Sequence, residues 1–75
     1  MRKANWKIGE KVQVPYQCFA PMRHGWNGWL FADGEIVARL RRVKDDAPMA
    51  TVEYTVNGQT FRKNYLMDRV FKKEI

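Results

Sequence analysis

The chain of 75 residues contains no serine, one cysteine and one histidine. The absence of serine excludes serine hydrolysis, and the lone Cys18 cannot form an internal disulfide. A single Cys with a single His is also too few for a usual zinc site. Glycine-rich phosphate loops are absent as well. These absences predict a protein that is not an enzyme, holds no metal or cofactor, and works in a reducing, cytoplasmic setting.

Long apolar runs are also missing. The longest covers residues 29–32, which is far too short to span a bilayer. The first residues lack the apolar centre of a signal peptide. We therefore expect no membrane association and no export.

Aromatic and basic residues, by contrast, are plentiful. The chain has three Trp, three Tyr and four Phe and is 45% hydrophobic, which is too much for a disordered segment. Its 14 Lys and Arg against 8 Asp and Glu give a net charge of +6. Such a field attracts anionic partners, of which nucleic acid is the most common, although the same charge also serves simple solubility.

A β-hairpin over residues 50–63 is the clearest local signal. Asn57-Gly58 separates two runs of strand-forming residues, and this dipeptide supplies the two positive φ angles of a type I′ turn. The turn fixes the register. The predicted cross-strand pairs are Val56 with Gln59, Thr55 with Thr60, Tyr54 with Phe61, and Glu53 with Arg62.

Before the hairpin, the sequence predicts a basic, flexible segment over residues 1–5 and then one domain over residues 6–75. A first strand carries Val12 and Val14 on one face and ends its regular pairing at Pro15. Residues 16–30, which hold Pro21 and two tryptophans, are expected to form a long folded loop.

A long strand is predicted over residues 31–44, with a bulge at Arg41-Arg42. The predicted inward side chains are Ile36, Ala38 and Leu40, and the predicted outward ones are Val37, Arg39 and Arg41. Residues 45–48 form a turn, residues 64–69 a single helical turn, and residues 70–73 a last short strand.

Five short antiparallel strands in so small a chain favour an all-β barrel, because closure removes exposed edges. Four segments carry a resemblance: W-K-I-G-E-K-V, A-D-G-E-I-V-A-R-L, T-V-E-Y-T-V-N-G-Q-T and Y-L-M-D-R-V. Together they resemble the SH3-like barrel of Tudor domains over residues 6–73. The resemblance implies a five-stranded SH3-like (Tudor-like) barrel with a long first loop and one helical turn before the last strand.

The same resemblance implies a protein-interaction function. Many Tudor domains bind methylated lysine or arginine in a cage of aromatic rings. By position, Tyr16 and Tyr54 match two cage residues, and Trp29 or Phe31 would have to substitute for another. The competing interpretation of Tyr54 is core packing against Phe61. A simple adaptor that binds a protein through the loop is a further alternative.

Nucleic-acid binding is the preferred prediction. Aromatic rings mixed with basic side chains are the combination that stacks bases and holds phosphates. The candidate residues are Arg23, Trp26, Trp29, Arg39, Arg41 and Arg42. The alternative is that the tryptophans cover one end of the barrel and the arginines form a solvated face.

One enzyme family offers a remote alternative. The segment Val12-Gln13-Val14-Pro15-Tyr16 is similar to the V-Q-I-Y segment of the plasmid-encoded type II dihydrofolate reductases, which are small SH3-like barrels that act as tetramers. There the segment lies on a late strand, whereas here it lies on the first. The oligomeric state, which the sequence leaves open, separates the two cases.

Overall fold

A computed structural model describes residues 2–19 and 28–73, with side chains at residues 2–16 and 30–73. These residues form one antiparallel sheet of five strands. The strands are β1 (Lys11–Phe19), β2 (Gly28–Arg41), β3 (Pro48–Val56), β4 (Gln59–Leu66) and β5 (Phe71–Lys72), with a 3₁₀ helix at Met67–Arg69. The all-β prediction, including a helical turn before the last strand, is confirmed.

The strand order in the sheet is β4-β3-β2-β1-β5. In the part of the chain that the structure describes, β4 and β5 lie at the two edges and do not pair with each other. Closure of the sheet into a barrel therefore stays a prediction. The described residues also contain no helix long and apolar enough to cross a membrane.

The predicted hairpin is confirmed in every pair. Asn57 and Gly58 have φ angles of 52° and 78°, as a type I′ turn requires. The register pairs Val56 with Gln59, Thr55 with Thr60, Tyr54 with Phe61, and Glu53 with Arg62. The local signal sufficed because the turn alone sets the register.

The face of the sheet that holds the core is called the inner face. It carries Val12, Val14, Ile36 and Val52, all fully buried, and Tyr54, which is 3% exposed. Ala32, Ala50 and Val70 complete the buried cluster. The opposite, outer face carries Lys11, Glu35, Glu53 and Arg62, which pair with one another across the strands.

The bulge in β2 lies earlier than the sequence predicts. Ile36 pairs with Val52, whereas the next inner-face residue of β3, Ala50, pairs with Arg39, and the register shifts between Ile36 and Ala38. One extra residue at this point reverses the alternation beyond it. Arg39 and Arg41 therefore share the inner face with Ile36.

Two predictions about this strand are consequently wrong. Ala38 and Leu40 lie on the outer face, although the sequence predicts them inward, and the predicted outward positions of Arg39 and Arg41 are reversed. The predicted bulge at Arg41-Arg42 is wrong too, because β2 ends at Arg41 and Arg42 begins the turn.

The predicted loop over residues 16–30 is too long. Residues 16–19 belong to β1 and residues 28–30 to β2, and residues 20–27 lie outside the described part. Pro15 does not end the pairing. It pairs with Phe31, the register shifts between Pro15 and Gln17, and pairing resumes with Gln17 opposite Leu30. Proline has no N–H to donate, and the pairing register shifts next to it, but the strand continues.

The helical turn and last strand are shorter than predicted, since β4 continues to Leu66 and β5 holds two residues. The predicted flexible segment also contributes to the sheet edge. Ala4 N–H donates to the Val70 carbonyl, and Lys72 N–H donates to the Arg2 carbonyl. The groups at the β5 edge find partners in residues 2–4.

Candidate functional site

An aromatic pocket of about 270 Å³ opens beside the β3–β4 hairpin. Its described lining consists of three rings, two amides, a valine and a lysine: Tyr16, Tyr54, Phe61, Asn57, Gln59, Val56 and Lys63. The hairpin supplies all of these residues except Tyr16, which comes from β1. The tight turn therefore builds most of the pocket.

Tyr54 is the floor of this pocket. Its ring centroid lies 6.4 Å from that of Tyr16 and 5.6 Å from that of Phe61, at interplanar angles of 40° and 30°. Tyr54 is 3% exposed, whereas Phe61 is 38% exposed and Tyr16 is half-buried. A ligand would reach Phe61 and Tyr16 directly.

Gly34 allows β3, which carries Tyr54, to lie close to β2. It lies directly opposite Tyr54 on β2, and a Cβ atom there would stand 2.6 Å from the Glu53 carbonyl oxygen and 2.8 Å from Val52 Cγ1. Only a residue without a side chain lets β2 and β3 approach this closely.

The charge of the pocket is positive. Among the described lining residues Lys63 is the one with a formal charge, and Asn57 and Gln59 add hydrogen-bonding amides. The ring centroid of Tyr65 lies 6.4 Å from that of Tyr54; burial raises the pKa of Tyr65, and a hydrogen bond with Tyr54 raises it further. The phenol of Tyr65 is therefore neutral at physiological pH and offers no negative charge.

A second cluster lies at the other end of β3. The guanidinium of Arg41 stands 4.8 Å from the centroid of the Trp6 indole, and that of Arg39 stands 5.6 Å from it. Both distances suit cation–π contact. The indole N–H donates to the Met49 carbonyl at 2.8 Å and fixes the ring. We call Trp6, Arg39 and Arg41 the Trp6 cluster.

Arg42 does not join this cluster. It donates from Nε and Nη2 to the two carboxylate oxygens of Asp45, at 2.9 and 2.6 Å. This bidentate pair lowers the pKa of Asp45 to about 2 and raises the pKa of Arg42. Arg41 donates to the Asp46 carbonyl at 2.9 Å, with the Asp46 carboxylate at 3.8 Å.

The structure does not bring all of the predicted site residues together. Arg23 and Trp26 lie outside the described residues, as does the side chain of Trp29, whose backbone pairs with Cys18. Phe31 is on the outer face and packs edge to face against Phe71 at 5.9 Å. It therefore does not join Tyr16 and Tyr54, which do come together.

Phe61, Lys63 and Trp6 were not among the predicted site residues. Phe61 is the predicted partner of Tyr54, and Lys63 follows it on the same face by the period of two, so the hairpin pattern contained the signal for both. Trp6 meets Met49 across 43 positions, and no local pattern predicts such a contact.

No metal site stands out: within residues 2–19 and 28–73, no three His, Cys, Asp or Glu residues are grouped so that they could hold an ion. Comparison of the chain with protein-family models, with curated proteins and with solved structures finds no match.

Proposed function

We propose that this protein is a small SH3-like, Tudor-like binding module, without enzymatic activity, that binds nucleic acid. The observation that carries the proposal is the pocket with aromatic walls and Lys63 as its charged lining residue. Nucleic acid combines the two chemistries that such a pocket complements, a flat aromatic base and an anionic phosphate.

The pocket is less suited to a methylated lysine or arginine. A cage for such a cation uses ring faces without a competing positive charge. The three rings Tyr16, Tyr54 and Phe61 are present, but the Lys63 ammonium would repel the ligand. The charge therefore favours an anionic partner over a methylated cation.

The Trp6 cluster supplies a second set of phosphate contacts. Arg39 makes no ion pair with any described residue, and Arg41 has a 3.8 Å pair with the Asp46 carboxylate besides its hydrogen bond to the Asp46 carbonyl. A guanidinium with an unused fork binds phosphate well. Arg42 is already occupied by Asp45 and contributes less.

Titration with short oligonucleotides, followed by tryptophan fluorescence at several salt concentrations, tests this function. We expect saturable binding. The logarithm of the association constant should fall linearly with the logarithm of the salt concentration. For single strands, Arg39→Gln should reduce that slope by about 0.7, whereas the matched change Arg42→Gln should leave it nearly unaltered. Absence of binding to every oligonucleotide at low salt would overturn the proposal.

A charge reversal in the pocket separates nucleic acid from a methylated cation. Lys63→Glu should weaken oligonucleotide binding, because it replaces an attraction for phosphate by a repulsion. A reader of methylated lysine would instead gain affinity for a trimethyllysine peptide from the same change. Lys72→Glu, which makes the same charge change outside the pocket, serves as the control.

A further inference from the structure

We infer that the aromatic pocket takes one unpaired base, so that the protein selects single-stranded over double-stranded nucleic acid. This inference rests on the proposed function and adds the form of the ligand. It follows from the size of the pocket, the exposure of its rings and the position of its polar groups.

The size of the pocket limits the ligand. Its volume of about 270 Å³ lies just below the range of roughly 300–1,000 Å³ found for drug-sized ligands. One base fits this scale. In a duplex each base is stacked and paired, so that its faces are covered, whereas single strands present bases that can be splayed out onto aromatic side chains.

The exposure of the rings provides a stacking surface. Phe61 is 38% exposed and Tyr16 is half-buried, while Tyr54 closes the bottom at 5.6 Å from the Phe61 centroid. An isolated exposed phenylalanine would be unremarkable on a protein surface. Here the exposed ring belongs to a concave group of three.

The polar groups of the pocket suit the two parts of a nucleotide, the base and the phosphate. Asn57 and Gln59 flank the turn residue Gly58, and side-chain amides bond base edges through paired donors and acceptors. Lys63 lies two residues beyond Phe61, on the same face of β4, where it can meet the phosphate of the same nucleotide.

Three probes of one length test the inference: a single-stranded 12-mer, the same strand in a duplex, and a 12-mer backbone from which the bases have been removed. The abasic strand keeps the phosphates and lacks the stacking groups. We expect the single strand to bind about fivefold to a hundredfold more tightly than either of the others, as stacking of one base predicts.

Two variants localise this preference. Phe61→Leu retains an apolar side chain at an exposed position and should abolish most of the preference while the salt slope persists. Phe61→Tyr keeps the ring and should retain the preference. Circular dichroism and thermal unfolding confirm that both variants are folded.

The three probes test the base pocket and nucleic-acid binding separately. Equal affinity for all three probes would overturn the base pocket and leave nucleic-acid binding intact, whereas no binding to any probe would overturn both. A single-strand preference that survives both Phe61→Leu and Tyr16→Leu would place the base elsewhere and so contradict the inference.

Discussion

Glu35 on β2 and Glu53 on β3 lie directly opposite each other on the outer face of the sheet. Two like charges in this position destabilise a strand pair. Here each carboxylate is held from its other side by a cation at 2.7 Å, Glu35 by Lys11 of β1 and Glu53 by Arg62 of β4. The four residues form a row of charges across four strands, in the order plus, minus, minus, plus.

Removal of one end of this row should lower the free energy of unfolding more than the loss of an isolated surface ion pair does. We expect Arg62→Gln to lower the free energy of unfolding by about 0.5–1 kcal/mol, the upper part of the range for exposed pairs, because it also leaves the repulsion between Glu35 and Glu53 less compensated. In a Glu53→Gln background the same change should cost almost nothing. A double-mutant cycle by urea unfolding measures the difference, and a coupling energy of zero at low salt would contradict the row.

At Gly34 the sheet leaves no room for a Cβ atom. We expect Gly34→Ala to destabilise the protein by about 1–3 kcal/mol, as overpacking does, because its Cβ would meet backbone at 2.6 Å. Gly58 is a matched control, since a Cβ there meets nothing within 4 Å and its φ of 78° is one that asparagine tolerates. Gly58→Asn should therefore cost far less than Gly34→Asn in thermal unfolding, and equal costs would refute the steric argument.

The ion pair of Arg42 and Asp45 predicts a response to acid. Because its pKa is lowered to about 2 in the folded chain, ionised Asp45 favours folding above the ordinary aspartate pKa near 3.9. That contribution disappears as the pH falls through about 2. An NMR titration of the Asp45 carboxyl carbon should give a midpoint near 2, and Arg42→Gln should return it towards the ordinary value. An unchanged midpoint in this variant would assign the shift to another cause.

Features of the fold that depend on neighbouring residues could be predicted from the sequence, whereas features that depend on distant segments could not. The turn at Asn57-Gly58 has conformational requirements that two residues satisfy by themselves, so the register of β3 and β4 next to the turn, from Val56–Gln59 to Glu53–Arg62, could be predicted. The bulge near Val37 has no such local requirement. The charged residues beyond it can lie on either face, and only the pairing of Arg39 with Ala50 shows which face they occupy.

The candidate site also combines contacts that the sequence predicts with contacts between distant segments. Tyr54 and Phe61 face each other through a register that the sequence specifies, and the predicted packing of Tyr54 against Phe61 sets a buried ring beside an exposed one. The Trp6 cluster depends on contacts between distant segments. Periodicity and turn chemistry carry no information about such contacts.

The separation of the two candidate contact regions predicts a dependence on oligonucleotide length. The Trp6 cluster lies opposite Pro48 and Ala50, whereas the pocket begins at Tyr54, four to six residues further along β3. At about 3.3 Å per strand residue the separation is about 13–20 Å. A stacked strand that rises about 3.4 Å per nucleotide covers this distance with about four to six nucleotides.

We therefore expect affinity to rise steeply as a single strand lengthens from two to about six nucleotides, and then only slowly. The combined variant Arg39→Gln and Arg41→Gln should remove the steep rise while dinucleotide binding at the pocket stays nearly the same. Titrations of strands of two, four, six, eight and twelve nucleotides at one salt concentration measure both curves. A steep rise that persists in the double variant would mean that a strand bound at the pocket follows a different path across the protein.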